Sequence, residues 1–159
     1  GEWGVAVVAS AGNDSTDRPM FPAAFAPWPG GPDFASGVPV TSVGALNPNS
    51  TVALFSNAGR WVLCHRPGAA LVSCFPRLDG SQQASYKLFV DGEGWRETLD
   101  PDDFSCGFAT WSGTSFAAPL FAGEVAAELL VRGTQLLAQD ACVARCTGAV
   151  EARVQAVQP

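Results

Sequence analysis

The first apolar block of the chain is WGVAVVAS, residues 3–10, a β-branched run of strand length that closes on the turn signal AGND. An apolar run with no polar face reads as a strand buried on both sides, as in a parallel sheet. Residues 18–37 hold five prolines. Proline breaks ladders and helices alike, so this stretch reads as loop. A second strand, VPVTSVGAL at 38–46, follows from alternation and β-branching. VALFSNAG at 52–59 fits a third strand or a turn-rich ribbon, and 61–76 fits two short strands about a Pro-Gly turn. Residues 77–106 are polar, with DGS, DGEG and DPDD, and read as a surface insertion with a hairpin strand near 87–90. GFATWSGTS, 107–115, reads as strand into turn.

From Ser115 the period changes. Phe116, Leu120, Val125, Leu129 and Leu130, with alanines at 117, 118, 122, 126 and 127, suit a helix with two packed faces. Pro119 is tolerated only near a helix start, which puts Ser115 at the N-terminus of that helix. Gly133 ends it, and a second helix is expected over 134–146. The expectation is an α/β fold, a mostly parallel sheet flanked by helices.

Composition narrows the function classes. A chain of 159 residues, 47% hydrophobic and 15% charged, can bury a core, which argues against disorder. Net charge is −6 and no basic block occurs, so nucleic acid is not an expected partner. No run approaches the roughly 18 apolar residues a membrane span needs, so none is expected. The chain opens at Gly1 almost directly into a core-like segment, without a signal peptide, and so reads as a piece of a longer protein. Cysteines stand at 64, 74, 106, 142 and 146, without the paired CxxC spacing of a zinc cage. Cys142 and Cys146, on one turn of a helix, would each pair elsewhere or stay free. DPDD lacks an EF-hand pattern. No metal and no cofactor is assigned.

A serine on a strand-to-helix turn has an exposed hydroxyl and an unpaired backbone N–H, where the helix dipole favours negative charge. The commoner use of such a serine is an N-cap. The wider string points elsewhere. GTSFAAPLFAG, 113–123, resembles the serine-nucleophile motif of the subtilisin-like serine proteases, the subtilases, with Leu120 where histidine is frequent. VAVVASAGND, 5–14, resembles the strand that ends at their oxyanion asparagine, here Asn13. FPAAF with VPVTSVGAL, then LFSNAG and RPGAALVS, resemble the segments that come next, in the family's order. Together the blocks cover about residues 3–76 and 107–131.

The resemblance implies a partial subtilisin-like three-layer fold and peptide-bond hydrolysis through an acyl-enzyme, with polypeptide as substrate. Ser115 would be the nucleophile, and the Asn13 carboxamide with the Ser115 N–H would hold the oxyanion. Ala11 and Gly12 would form one wall of the substrate pocket, Met20 or Phe21 its floor, and Gly113 and Thr114, beside the nucleophile, would also bind substrate. A bulky floor residue would disfavour large aromatic side chains. The resemblance also implies a secreted location. The family's base histidine and orienting aspartate lie in upstream blocks that this chain lacks. His65, the single histidine, falls in the segment matching Ala-Pro-Gly and reads as a surface or packing residue. Asp14 and Asp17 do not match the aspartate block. Residues 1–159 therefore read as the C-terminal portion of one catalytic domain, inactive alone, whose partner is the missing N-terminal half. The alternative is a non-catalytic pseudoprotease that binds peptide or protein. An α/β-hydrolase is disfavoured, because Ala117 replaces the last glycine of a Gly-x-Ser-x-Gly elbow. The separation of Asn13 and Ser115, 102 positions, looks long for the family, and the excess falls in 77–106.

Overall fold

The computed structural model describes residues 3–31, 37–77, 84–99, 106–133 and 138–155. They form two compact units, Gly1–Ala69 with Ser112–Pro159, and Ala70–Trp111. The first unit holds strands β1 (Val7–Ser10), β2 (Val40–Leu46) and β3 (Cys64–Pro67), and helices α1 (Thr114–Val131) and α2 (Gln139–Gln155). The strands form a parallel sheet in the order β1-β2-β3, in register Val7↔Val40 and Val43↔Cys64. This is the α/β arrangement expected from the pattern of apolar runs.

The central strand carries the packing. Every residue of β2 from Thr41 to Leu46 is buried, as a strand covered on both faces requires. On one face Val43 and Ala45 pack with Cys64 against Ala117, Phe121 and Val125 of α1 and against Cys146, Ala149 and Val150 of α2. Burying Phe121 completely contributes roughly 1.5–3 kcal/mol. On the other face Ala9, Ala11, Ala23, Ala24 and Trp61 form a smaller cluster. The Trp61 indole N–H donates to Asp17 O at 3.0 Å, which pins the loop after β1 to this face.

Arg66, on β3, is buried on the helix side and paired with Glu124 of α1. Its guanidinium donates to both carboxylate oxygens at 2.8–3.0 Å, to His65 O at 2.8 Å and to Arg153 O at 2.7 Å. It also lies 5.1 Å from the Phe121 ring centroid. One charged side chain therefore ties a strand to both helices.

The second unit holds two antiparallel pairs, β4 (Leu71–Cys74) with β7 (Phe108–Trp111), and β5 (Ala84–Val90) with β6 (Gly94–Leu99). The strand expected near 87–90 lies within β5, and its partner β6 was not anticipated.

Several expectations need correction. Strand β1 is not buried on both faces: Val7 is exposed, as is Val5 just before the strand, and β2 is its one hydrogen-bonded neighbour among the described residues. Helix α1 packs with one face; Leu120, Leu130 and Val131 are exposed. Pro119 lies beyond the first turn, so it does cost α1 the bond that the Ser115 carbonyl would accept. Helix α1 is also, at 18 residues and mean hydropathy 1.3, long and apolar enough to cross a membrane by composition alone. The expectation that no such stretch exists is withdrawn, though Ala117, Phe121 and Val125 pack on the sheet. Segment 52–59 is turn-rich, with one bridge, Leu46↔Val52. The second helix is α2, starting later than expected and running to Gln155; residues 134–137 lie outside the described set.

Candidate functional site

The site begins where β1 runs out. Ala11, fully buried, donates its N–H to Val43 O at 2.9 Å and so continues the parallel ladder one residue past the strand. Gly12 then turns the chain at φ +101°. A Cβ there would overlap Met20 Sδ and lie 2.5 Å from Asn57 Nδ2, so both backbone angle and space demand glycine. The turn presents Asn13 at the surface.

From the other side the chain reaches the same place through two glycines. Gly113 N donates to Gly68 O at 2.7 Å. A Cβ on Gly68 would stand 2.7 Å from Ala45 Cβ and 3.1 Å from Ala117 Cβ, so this close approach also requires glycine. Gly113 is the N-cap of α1 and offers no side-chain cap.

Asn13 takes the capping role from across the fold. Its Oδ1 accepts from Thr114 N at 2.9 Å and from Thr114 Oγ1 at 3.0 Å. Thr114, fully buried, in turn accepts from Gly12 N at 3.1 Å. The hydroxyl thus relays between the backbone on one side of Asn13 and the Asn13 side chain. With Oδ1 committed to Thr114, the amide group of Asn13 is left to donate elsewhere; its Nδ2 lies 3.5 Å from where a Gly113 Cβ would be. Ser115 follows as the second residue of α1, exposed, and its Oγ has no hydrogen-bond partner among the described residues. A carboxamide N–H donor and a helix N-terminus beside an unengaged hydroxyl form an arrangement able to receive negative charge.

The structure thus brings Asn13, Gly113, Thr114 and Ser115 together, with Ala11 and Gly12 beneath them. Met20 packs against Gly12 and is 41% exposed; Phe21, 54% exposed, packs on Phe25 with ring centroids 4.7 Å apart. Of the two, Met20 adjoins the Asn13 loop. His65 is not brought in. It pairs with Gly44, on the sheet face turned away from the Arg66–Glu124 contact with α1. Its Nε2 is buried with no hydrogen-bond partner among the described residues, and burial lowers its pKa. Asp14 and Asp17 are exposed on the loop after Asn13.

Asn57 escaped the sequence reading. It is fully buried and bonded to the loop on both sides of Asn13. The available signal was an asparagine between Ser56 and Ala58 in a segment that fits a strand poorly. The Thr114 hydroxyl was expected to flank substrate, and its link to Asn13 was not anticipated.

Three parallel strands backed by helices, with a loop after β1 clasped to the start of α1, define an α/β protein whose chemistry-bearing residues gather at one sheet end. The profile described as Subtilase family matches residues 1–135, and the chain belongs to that family. A comparison with curated sequences finds no match. Among solved structures, the chain is similar to a lanthipeptide protease at 19% identity and TM-score 0.56, covering 88% of this chain and 41% of that one. It is also similar to a cold adapted subtilisin-like serine proteinase, at 22% identity and TM-score 0.47, covering 87% and 34%. The self-cleaved protease domain of PatA matches at 24% identity and TM-score 0.49, covering 98% and 52%. The chain thus spans about a third to a half of the length of these structures.

Proposed function

We propose that this chain is the C-terminal portion of a serine endopeptidase catalytic domain, with Ser115 as nucleophile and Asn13 as oxyanion donor. The observation that carries the reading is the double hydrogen bond from Thr114 to Asn13 Oδ1, at 2.9 and 3.0 Å. It turns the amide N–H of Asn13 away from Thr114 and holds it beside the start of α1.

In this reading Ser115 Oγ attacks the carbonyl carbon of a peptide bond as its proton passes to a base. The carbonyl oxygen becomes an oxyanion held by the Asn13 amide and the Ser115 N–H. The tetrahedral intermediate collapses, the proton goes to the leaving amine, and Ser115 is left acylated. Water then repeats the cycle and frees the acid. A neutral amide suits the donor role, because it needs no particular protonation state. A serine hydroxyl is a weak nucleophile until a base takes its proton. That base and its orienting acid belong to the missing N-terminal half of the same domain, and the chain alone is inactive. Residues 77–106 are read as an insertion in that domain, of which 78–83 and 100–105 lie outside the described residues. Gly12, Met20 and Phe21 face the substrate side, and the buried Ala11, Gly113 and Thr114 support it from beneath. Met20 shortens the pocket and disfavours large aromatic side chains before the scissile bond.

The test uses the full-length protein. A fluorophosphonate probe should label the wild type and fail on Ser115→Ala, and peptidase activity should vanish in the same variant. Activity that survives Ser115→Ala, or a wild type that binds peptides without cleaving them, overturns the reading. A peptide series cleaved best at Phe or Tyr overturns the assignment of Met20.

A further inference from the structure

We infer that Asn57 is a positioning residue for the oxyanion asparagine, bracing the backbone on both sides of Asn13 so that its amide is held where charge develops. The inference rests on the serine-protease reading above and assigns to it a residue outside the motif blocks that carry the chemistry.

Asn13 itself is exposed, and among the described residues its side chain is held by Thr114 alone. The backbone that carries it, residues 11–16, belongs to neither strand nor helix. Past the Ala11 N–H, which still bonds Val43 O, such a segment has no ladder to satisfy its polar groups. Asn57 takes that place. Its Nδ2 donates to Ala11 O at 2.9 Å, and its backbone N donates to Gly12 O at 2.9 Å. Its Oδ1 accepts from Asp14 N at 2.9 Å and from Thr16 N at 3.2 Å. Four backbone groups, two before Asn13 and two after it, thus converge on one fully buried residue. Nδ2 also lies 3.4 Å from Met20 Sδ, so the same amide backs the residue that adjoins the substrate side.

Asn57 is fixed in its turn. Ser56 Oγ accepts from Ala45 N at 3.0 Å, in β2, and donates to Asn57 O at 3.1 Å. The bracing runs from the most buried strand of the sheet, through Ser56 and Asn57, to the loop. A carboxamide is the side chain for this task. It donates to a carbonyl that precedes Asn13 and accepts from two N–H groups that follow it. Aspartate would lose the donor, and leucine would lose both.

Kinetics on the full-length protein distinguish positioning from a merely structural role. Asn57→Ala should lower kcat by roughly ten- to a hundred-fold, the cost of a misplaced catalytic group, and change KM by less than about threefold. In an Asn13→Ala background, Asn57→Ala should cost less than about threefold more, because residues that act as one unit are not additive. Losses that multiply would overturn the role of Asn57 while leaving the protease reading intact. Activity that persists in Ser115→Ala would overturn the protease reading and the positioning role with it. Amide exchange on the wild type needs no variant to fold. The Asp14 and Thr16 N–H groups should exchange as slowly as those of β2, and exchange at open-loop rates overturns the inference.

Discussion

Removing Glu124 should expose how much the buried Arg66 costs the fold when its counter-charge is gone. Arg66 is 1% exposed, and the Glu124 carboxylate takes three of its hydrogen bonds, two from Nε and one from Nη2. In Glu124→Ala the guanidinium keeps two backbone partners, His65 O and Arg153 O, while its Nε–H loses both acceptors. Breaking one side of a buried ion pair costs roughly 3–5 kcal/mol. Glu124 is 22% exposed, which screens part of the interaction. Against that, Arg153 Nε lies 3.7 Å from the same carboxylate, so its removal leaves two guanidinium groups with no anion between them. These effects oppose each other, and the expected loss is about 3 kcal/mol. For a domain of this size that lowers Tm by roughly 6–12 °C. The assay is urea unfolding followed by tryptophan fluorescence, where the buried Trp61 reports on the sheet. Arg66→Met with Glu124→Leu should recover most of the loss, because a well-packed apolar pair replaces a buried ion pair at little cost. A loss below about 1 kcal/mol in Glu124→Ala would refute the argument, because water would then be reaching Arg66.

Gly12→Ala should destabilise by about 1–3 kcal/mol from backbone strain, since φ there is +101°, and by more where the new methyl overlaps Met20 Sδ; an unchanged unfolding midpoint would contradict it. Thr114→Val keeps the shape but strands the Gly12 N–H and frees one lone pair of Asn13 Oδ1, so it should cost about 1–3 kcal/mol. In the full-length protein the same variant should slow fluorophosphonate labelling of Ser115 by roughly tenfold or more, and a wild-type labelling rate would separate Thr114 from the oxyanion geometry. Burial pushes the Cys64 thiol from 9.0 up to about 11, so the unfolded chain ionises first as pH rises. Stability should be fully present below pH 9 and fall at up to about 1.4 kcal/mol per pH unit between 9 and 11. Cys64→Ala should flatten that slope in urea titrations across the same range.

What could be read from sequence, and what could not, follows from where the determining contacts lie. Strands β1 and β2 were legible because β-branched apolar runs fit a pleated, buried ladder. The meeting of Asn13 with the start of α1 followed from motif resemblance. Local pattern could not have supplied it, since the bonded residues are 101 positions apart. That β1 pairs with β2 alone among the described residues was invisible, because an apolar run does not say how many neighbours the strand pairs with. Helix α1 is rich in alanine on every side, so its composition lacked the contrast that tells a buried face from an exposed one. Strand β6 was masked by the charges in GWRETL. Asn57 and Arg66 were missed for a common reason. Asparagine in a turn-like segment and arginine in a strand each read as solvent-facing, and their burial depends on partners 41–46 and 58 positions away.

Both halves of the candidate site are suspended from one strand. Ala11 N bonds Val43 O, and Ser56 Oγ accepts from Ala45 N on the way to Asn57. Gly68 N bonds Leu46 O at 3.1 Å, and Gly113 N bonds Gly68 O at 2.7 Å. Asn13 is thus carried by Val43 and Ala45, and the start of α1 by Leu46, all within the last four residues of β2. A parallel strand buried on both faces is among the stiffest elements a small domain offers, and a site held from it inherits that stiffness. The glycines at 12 and 68 do the opposite work, leaving room where a Cβ at 12 would strike the Met20 and Asn57 side chains and one at 68 would strike Ala45 Cβ and Gly113 O. Rigidity in β2 and close approach through glycine together bring a carboxamide and a hydroxyl, distant in sequence, to the same end of the sheet. Between 11 and 16 no regular element forms, and the segment's bonds come from Asn57 and Thr114, together with Ser15 N to Phe55 O and Ala58 N to Thr16 O, each at 3.1 Å.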